Sequence, residues 1–151
     1  MKIPSFVAID PGDLAGIAMF VDGKLTHVEL VKDAVARCWR WSGPFGLPVV
    51  CEIPTKFHLS QRTQRHASVD SLLTLSFTAG YLVSALQPSW IRKVNPREWK
   101  GQRPKPLDNA LVMHLLEDQE RHILDEARIS AAQRHNAVDA IGIGLWYLRR
   151  R

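Results

Sequence analysis

"SFVAIDPGDLAGIAMFVDGKLTHVELV", residues 5–31, decides the fold. It holds three short apolar runs, SFVAID (5–10), AGIAMFV (15–21) and KLTHVELV (24–31), each of strand length. "PG" at 11–12 turns the chain after the first run, and "DG" at 22–23 is a two-residue hairpin signal between the second and third. Three antiparallel strands therefore open the protein.

Further along, DAVARCWRW (33–41) reads as a short helix and SGPFGLP (42–48) as its exit loop, before the strand PVVCEI (48–53). A basic loop, TKFHLSQRTQRH (55–66), leads into a helical pattern from about Ser68 to Leu86. SWIRKV (89–94) is a fifth strand, PLDNALVMHLLED (106–118) a helix, and SAAQRHNAVDAIGIGLWYLRR (130–150) the last one. This order predicts a single α/β domain over 1–151, a five-stranded mixed sheet with its first three strands antiparallel and helices on both faces. The 68–86 helix is apolar nearly all round, including Leu73, Phe77 and Tyr81. One side is expected on the sheet, and the other, with Tyr81 read as an outward position, against a second copy or another helix of the same chain.

Hydrophobic residues make up 46% of the 151, yet no run reads as long enough to cross a bilayer. "MKIPSFVAIDPG" enters a strand directly, without a signal-peptide pattern, so a soluble cytoplasmic protein with no membrane partner is expected. Cys38 and Cys51 have neither metal-ligand spacing nor the density of a disulfide scaffold and read as free thiols. The net charge of +5 is concentrated in RKVNPREWKGQRPK (92–105), where Arg92, Lys93, Arg97, Lys100, Arg103 and Lys105 face Glu98 alone. Such a stripe is the footprint of a polyanion partner or, taken by itself, a solvated loop.

Three acids stand in apolar surroundings: Asp10 ending the first strand, Glu52 ending the fourth, and Asp139 within HNAVDAIGIGLW (135–146). Taken singly, each has a plain reading, as a turn residue, a solvated strand end, or a helix acid paired with an arginine. Three converging carboxylates repel one another, and a bound divalent cation relieves that repulsion. Hard, oxygen-preferring Mg²⁺, or Mn²⁺ in its place, suits such ligands.

An acid on the first strand, an antiparallel three-stranded sheet, an acid on the fourth strand and an acid on the last helix resemble the ribonuclease H-like nucleases. Within them the chain resembles the RuvC-like Holliday junction resolvases, particularly the short phage and prophage forms, through VAIDPGDLAGIA, CEIP, REWKGQRPK and HNAVDAIGIGLW. The resemblance implies a homodimer that cuts four-way or branched DNA by paired nicks, in a bacterium or a phage-infected host. It makes Asp10, Glu52 and Asp139 ligands of two metal ions, and sets Lys100 and Lys105 against the DNA backbone near the cut. Arg97 and Arg103 join them as DNA contacts. Lys56, Arg62 and Arg65 do the same in the 55–66 loop, where similar enzymes place an aromatic such as Phe57 to stack on an unpaired base.

The best-known bacterial members carry a second acid one helical turn before the last, where this chain has Asn136, preceded by His135. His135 lies about 40° around the helix from Asp139 and Asn136 about 60° on the other side, so either is placed to reach the same metal. His135 is the preferred fourth ligand, because some relatives use a histidine there, with Asn136 as the substitute. Other readings are a nuclease acting on other branched DNA or RNA–DNA hybrids, and an inactive DNA-binding module of the same fold. AIDPGDLAG also resembles the phosphate loop of sugar kinases and actin-like ATPases, which need two such domains.

Overall fold

The computed structural model describes residues 4–53, 69–101 and 104–150. Its five strands are β1 (Phe6–Asp10), β2 (Leu14–Val21), β3 (Lys24–Lys32), β4 (Val49–Glu52) and β5 (Ile91–Val94), in the spatial order β3-β2-β1-β4-β5. The first three pair antiparallel, and β4 and β5 then add parallel strands beside β1. The described helices are α1 (Val69–Leu86), α2 (Pro96–Trp99), α3 (Lys105–Leu115), α4 (Asp118–Glu126) and α5 (Arg134–Tyr147).

Local chemistry accounts for the opening hairpin. Asp22 and Gly23 both take positive φ, 48° and 78°, the backbone that a tight two-residue hairpin turn demands. Phe6, Val7, Ala8 and Ile9 are all fully buried, as a central strand covered on both faces must be. Phe6, Ala8, Ala18 and Phe20 face one core layer, shared with α3, α4 and α5. Val7, Ile9 and Ile17 face the other, closed by Ala79, Leu82 and Leu86 of α1. Helices thus cover both faces of the sheet.

Several sequence expectations are corrected. Residues 33–41 are not a helix: they form turns, with Asp33 and Cys38 at positive φ. A segment this short nucleates a helix poorly, and Trp39 and Trp41 are packed with Tyr81 into the second core layer instead. The region after α3 holds a separate helix, α4, and the short α2 follows Asn95, which caps it through a reciprocal side-chain and backbone pair with Glu98. Tyr81 does not point outward; its hydroxyl donates to the Trp39 carbonyl at 3.0 Å. The outward residues are Val69, Leu73 and Phe77, each more than 60% exposed. At 18 residues α1 also meets the bare length and composition of a membrane span.

Glu120 is a buried acid that went unnoticed in the sequence. Glu120 accepts from the Leu25 amide at 2.8 Å, the Glu117 amide at 3.0 Å and Arg150 Nη1 at 2.7 Å, while Arg150 Nη2 donates to the Gly23 carbonyl. This knot ties α4, the β2–β3 hairpin and the end of the chain together. Burial pushes the Glu120 carboxyl up, but the Arg150 and amide hydrogen bonds outweigh it and hold the group below its usual 4.5. A depressed carboxylate stabilises the fold above its unfolded pKa and loses that contribution as acid titrates the folded form. Glu120→Gln should therefore cost about 3 kcal/mol near neutral pH, by taking from Arg150 Nη1 the carboxylate it pairs with at 2.7 Å. In chemical denaturation its deficit against the parent protein should shrink as pH falls below about 4.5. A deficit that stays constant with pH would mean that the Glu120 charge contributes nothing.

Candidate functional site

Parallel pairing of β1 with β4 sets Ile9 beside Cys51, and the next residue of each strand is an acid, Asp10 and Glu52. Both carboxylates therefore leave the sheet at the same end. Asp10 pairs across β2 with Gly16. A Cβ at Gly16 would collide with the backbone carbonyl of Asn136 and stand 3.0 Å from the Ala140 Cβ. Only a residue without a side chain lets the first turns of α5 lie directly on β2, and this contact carries Asp139 to the strand ends that bear Asp10 and Glu52.

The positive charge is supplied by α2 and the residue after it. Lys100 Nζ stands 3.1 Å from Asp139 Oδ2. The preceding residue, Trp99, donates its indole N–H to Glu52 Oε2 at 2.6 Å, and Lys100 Nζ lies 4.3 Å from the Trp99 ring centroid. Desolvation favours the neutral amine, yet the attraction of Asp139, Glu52 and Asp10 prevails and raises the Lys100 pKa above its ordinary value. Burial pushes the Glu52 carboxyl up, with the Asp139 charge adding to it, against the Trp99 hydrogen bond and the Lys100 charge. The buried Cys51 thiol is pushed up to about 12 by desolvation and then by Asp10 and Glu52, so it is an inert neighbour. All three acids singled out in the sequence act on one ammonium group.

The remaining expected residues fall less uniformly. His135 sits in the first turn of α5, half-buried, with Nδ1 3.1 Å from the Ala132 carbonyl. Since a carbonyl only accepts, Nδ1 carries the proton in that bond, which leaves Nε2 as the ring atom that a neutral imidazole would offer to a metal. Asn136 Nδ2 donates instead to the Gln133 carbonyl at 3.4 Å. Arg97 is exposed on α2. Lys56, Phe57, Arg62, Arg65 and Arg103 lie outside the described residues, as does the side chain of Lys105. Trp99 was missed by sequence reasoning; its place between a strand-end acid and a basic segment carries no distinguishing local signal.

Carboxylate oxygens are the donor chemistry of Mg²⁺ or Mn²⁺, and the His135 imidazole is a softer ligand than the carboxylates beside it. The gathering of three carboxylates around one cationic group shows that positive charge belongs at this point. Among the described residues no three His, Cys, Asp or Glu side chains have the spacing of a ready-made metal cage.

The Lys100 ammonium, held above its usual 10.5, delivers its full stabilisation below that pH and loses it only as pH rises past it. Lys100→Met removes the counter-charge, so the variant should regain stability as acid neutralises the Glu52 carboxyl, which burial pushes up. In chelator, its thermal midpoint should trail the parent most at about pH 7–8 and less toward about pH 5. An equal deficit across that range would show that the acids do not depend on this charge. No protein-family model matches the chain, and no curated protein sequence does.

Proposed function

We propose that the chain is a metal-dependent DNA endonuclease of ribonuclease H-like fold, of the RuvC-like kind, which resolves four-way junctions as a homodimer. The observation that carries this reading is the convergence of Asp10, Glu52 and Asp139 at one end of β1 and β4. The strand order β3-β2-β1-β4-β5 and the basic excess of the 92–105 sequence, from which Lys100 reaches Asp139, support it. The setting is the cytoplasm of a bacterium or of a phage-infected host.

Asp10, Glu52 and Asp139 would hold Mg²⁺ or Mn²⁺, with His135 Nε2, or else Asn136, as the further ligand. Such ions, when bound, would supply Lewis-acid chemistry toward a phosphodiester and a water. Lys100 adds a positive charge beside the carboxylates that offsets their repulsion of an approaching phosphodiester. Arg97, with the other basic residues of 92–105, anchors the flanking phosphates and sets register rather than chemistry.

The decisive assay compares a synthetic four-way junction with a linear duplex, a flap and an RNA–DNA hybrid of matched sequence. Symmetric, metal-dependent nicking of the junction is expected. Asp10→Asn and Asp139→Asn should each abolish cutting while leaving junction affinity within a few-fold. Preferred cutting of the flap or the hybrid would reassign the substrate, and no cutting of any would leave a DNA-binding module.

The second copy fits the outer face of α1. Val69, Leu73 and Phe77 recur at four-residue spacing, and Gly80 and Ser84 continue the same stripe with small residues. A Cβ on Gly80 would meet nothing within 4 Å. Two such helices laid antiparallel set the large residues of one copy over the small ones of the other, as ridges enter grooves. Phe77→Glu should shift the protein from dimer to monomer in light scattering and uncouple the paired nicks. A wild-type monomer at micromolar concentration would remove the dimer from this reading.

A further inference from the structure

We propose that Trp99 is the positioning residue of the acidic site, one buried ring that sets both Glu52 and Lys100. This rests on the metal-site reading above. The indole uses two different parts of itself. Its N–H holds Glu52 Oε2 at 2.6 Å, and its π face carries the Lys100 ammonium, which reaches Asp139 at 3.1 Å. A glutamate side chain at a strand end has three torsions and, without a partner, samples several orientations. The short N–H bond removes that freedom and commits one oxygen to the protein.

The ring itself is held in place. Trp99 is 5% exposed and packs in the same core layer as Val112. A Cβ at Gly142 would stand 2.6 Å from its Cζ3 atom, so the bare backbone of α5 makes room for the ring. Asp139 lies one turn earlier on that same helix. Trp99 thus gauges the spacing between Glu52 on β4 and Asp139 on α5, by touching both elements. A hydrogen-bonded partner of a ligating carboxylate fixes its orientation, and loss of such a partner weakens metal affinity by about 10- to 100-fold.

Trp99→Phe keeps a π face for Lys100 and much of the core volume while deleting the N–H along with the second ring. The test is Mn²⁺ binding to the full chain, by calorimetry and by the loss of free-ion resonance signal, well below the thermal midpoint of either protein. The expected result is an Mn²⁺ affinity at least about 10-fold weaker for Trp99→Phe, with a dimer and a cooperative thermal transition retained. Trp99→His, which restores a ring N–H, should recover part of the loss. A purely structural ring would shift the thermal midpoint and leave Mn²⁺ affinity of the folded protein alone. Equal affinity of wild type and Trp99→Phe overturns the positioning role while leaving the metal site intact. Absence of Mn²⁺ binding by the wild type itself overturns both readings.

Discussion

Close approach of a helix to the sheet is the constraint on which the molecule turns. In α5 nine consecutive residues, Ala137 to Leu145, are buried, and the helix lies against the sheet where side chains are missing. Gly16 admits the Asn136 carbonyl, and Gly144 admits the Phe20 ring. A single methyl group at either place would push the helix off, because interiors packed at crystal density have no slack to absorb it. Asp139 rides in the middle of this rigid stretch, so the packing of apolar atoms sets the position of a charge.

Two buried acid clusters on this scaffold are managed in opposite ways. Glu120 spends both oxygens on three donors, two of them backbone amides, and its partner Arg150 is anchored in turn to a carbonyl. Such a closed network joins segments and serves the fold. Glu52 commits one oxygen to one indole, and Asp139 one oxygen to one ammonium on a flexible stem. Their charge is balanced by a group able to move aside, since a lysine stem has several rotatable bonds and its ammonium hydrates readily.

The first three strands, their antiparallel pairing, the turn at Asp22–Gly23 and the fourth and fifth strands were legible because each depends on neighbours in the sequence: period, length and a turn dipeptide. Asp10, Glu52 and Asp139 were visible for the same reason, as charges out of place in apolar runs. Misreadings came where distant contacts overrode the local pattern. Trp39 and Trp41 looked like part of a helix, yet they sink into the layer beneath α1 and leave 33–41 as turns. Tyr81 looked outward, yet its hydroxyl found the Trp39 carbonyl.

By itself, then, the sequence determined a mixed α/β fold, three anomalous acids and a concentrated basic segment, all properties of local pattern and composition. Tertiary structure alone decided that the parallel β1–β4 pair sends two of those acids out at one end, that α5 adds the third, and that Lys100 answers all three. The physical reason is that charge interaction depends on distance through space, and Asp10, Glu52, Lys100 and Asp139 are far apart along the chain. Nothing within a few residues of Trp99 announces Glu52 as its partner, and only the folded sheet brings the two within a hydrogen bond.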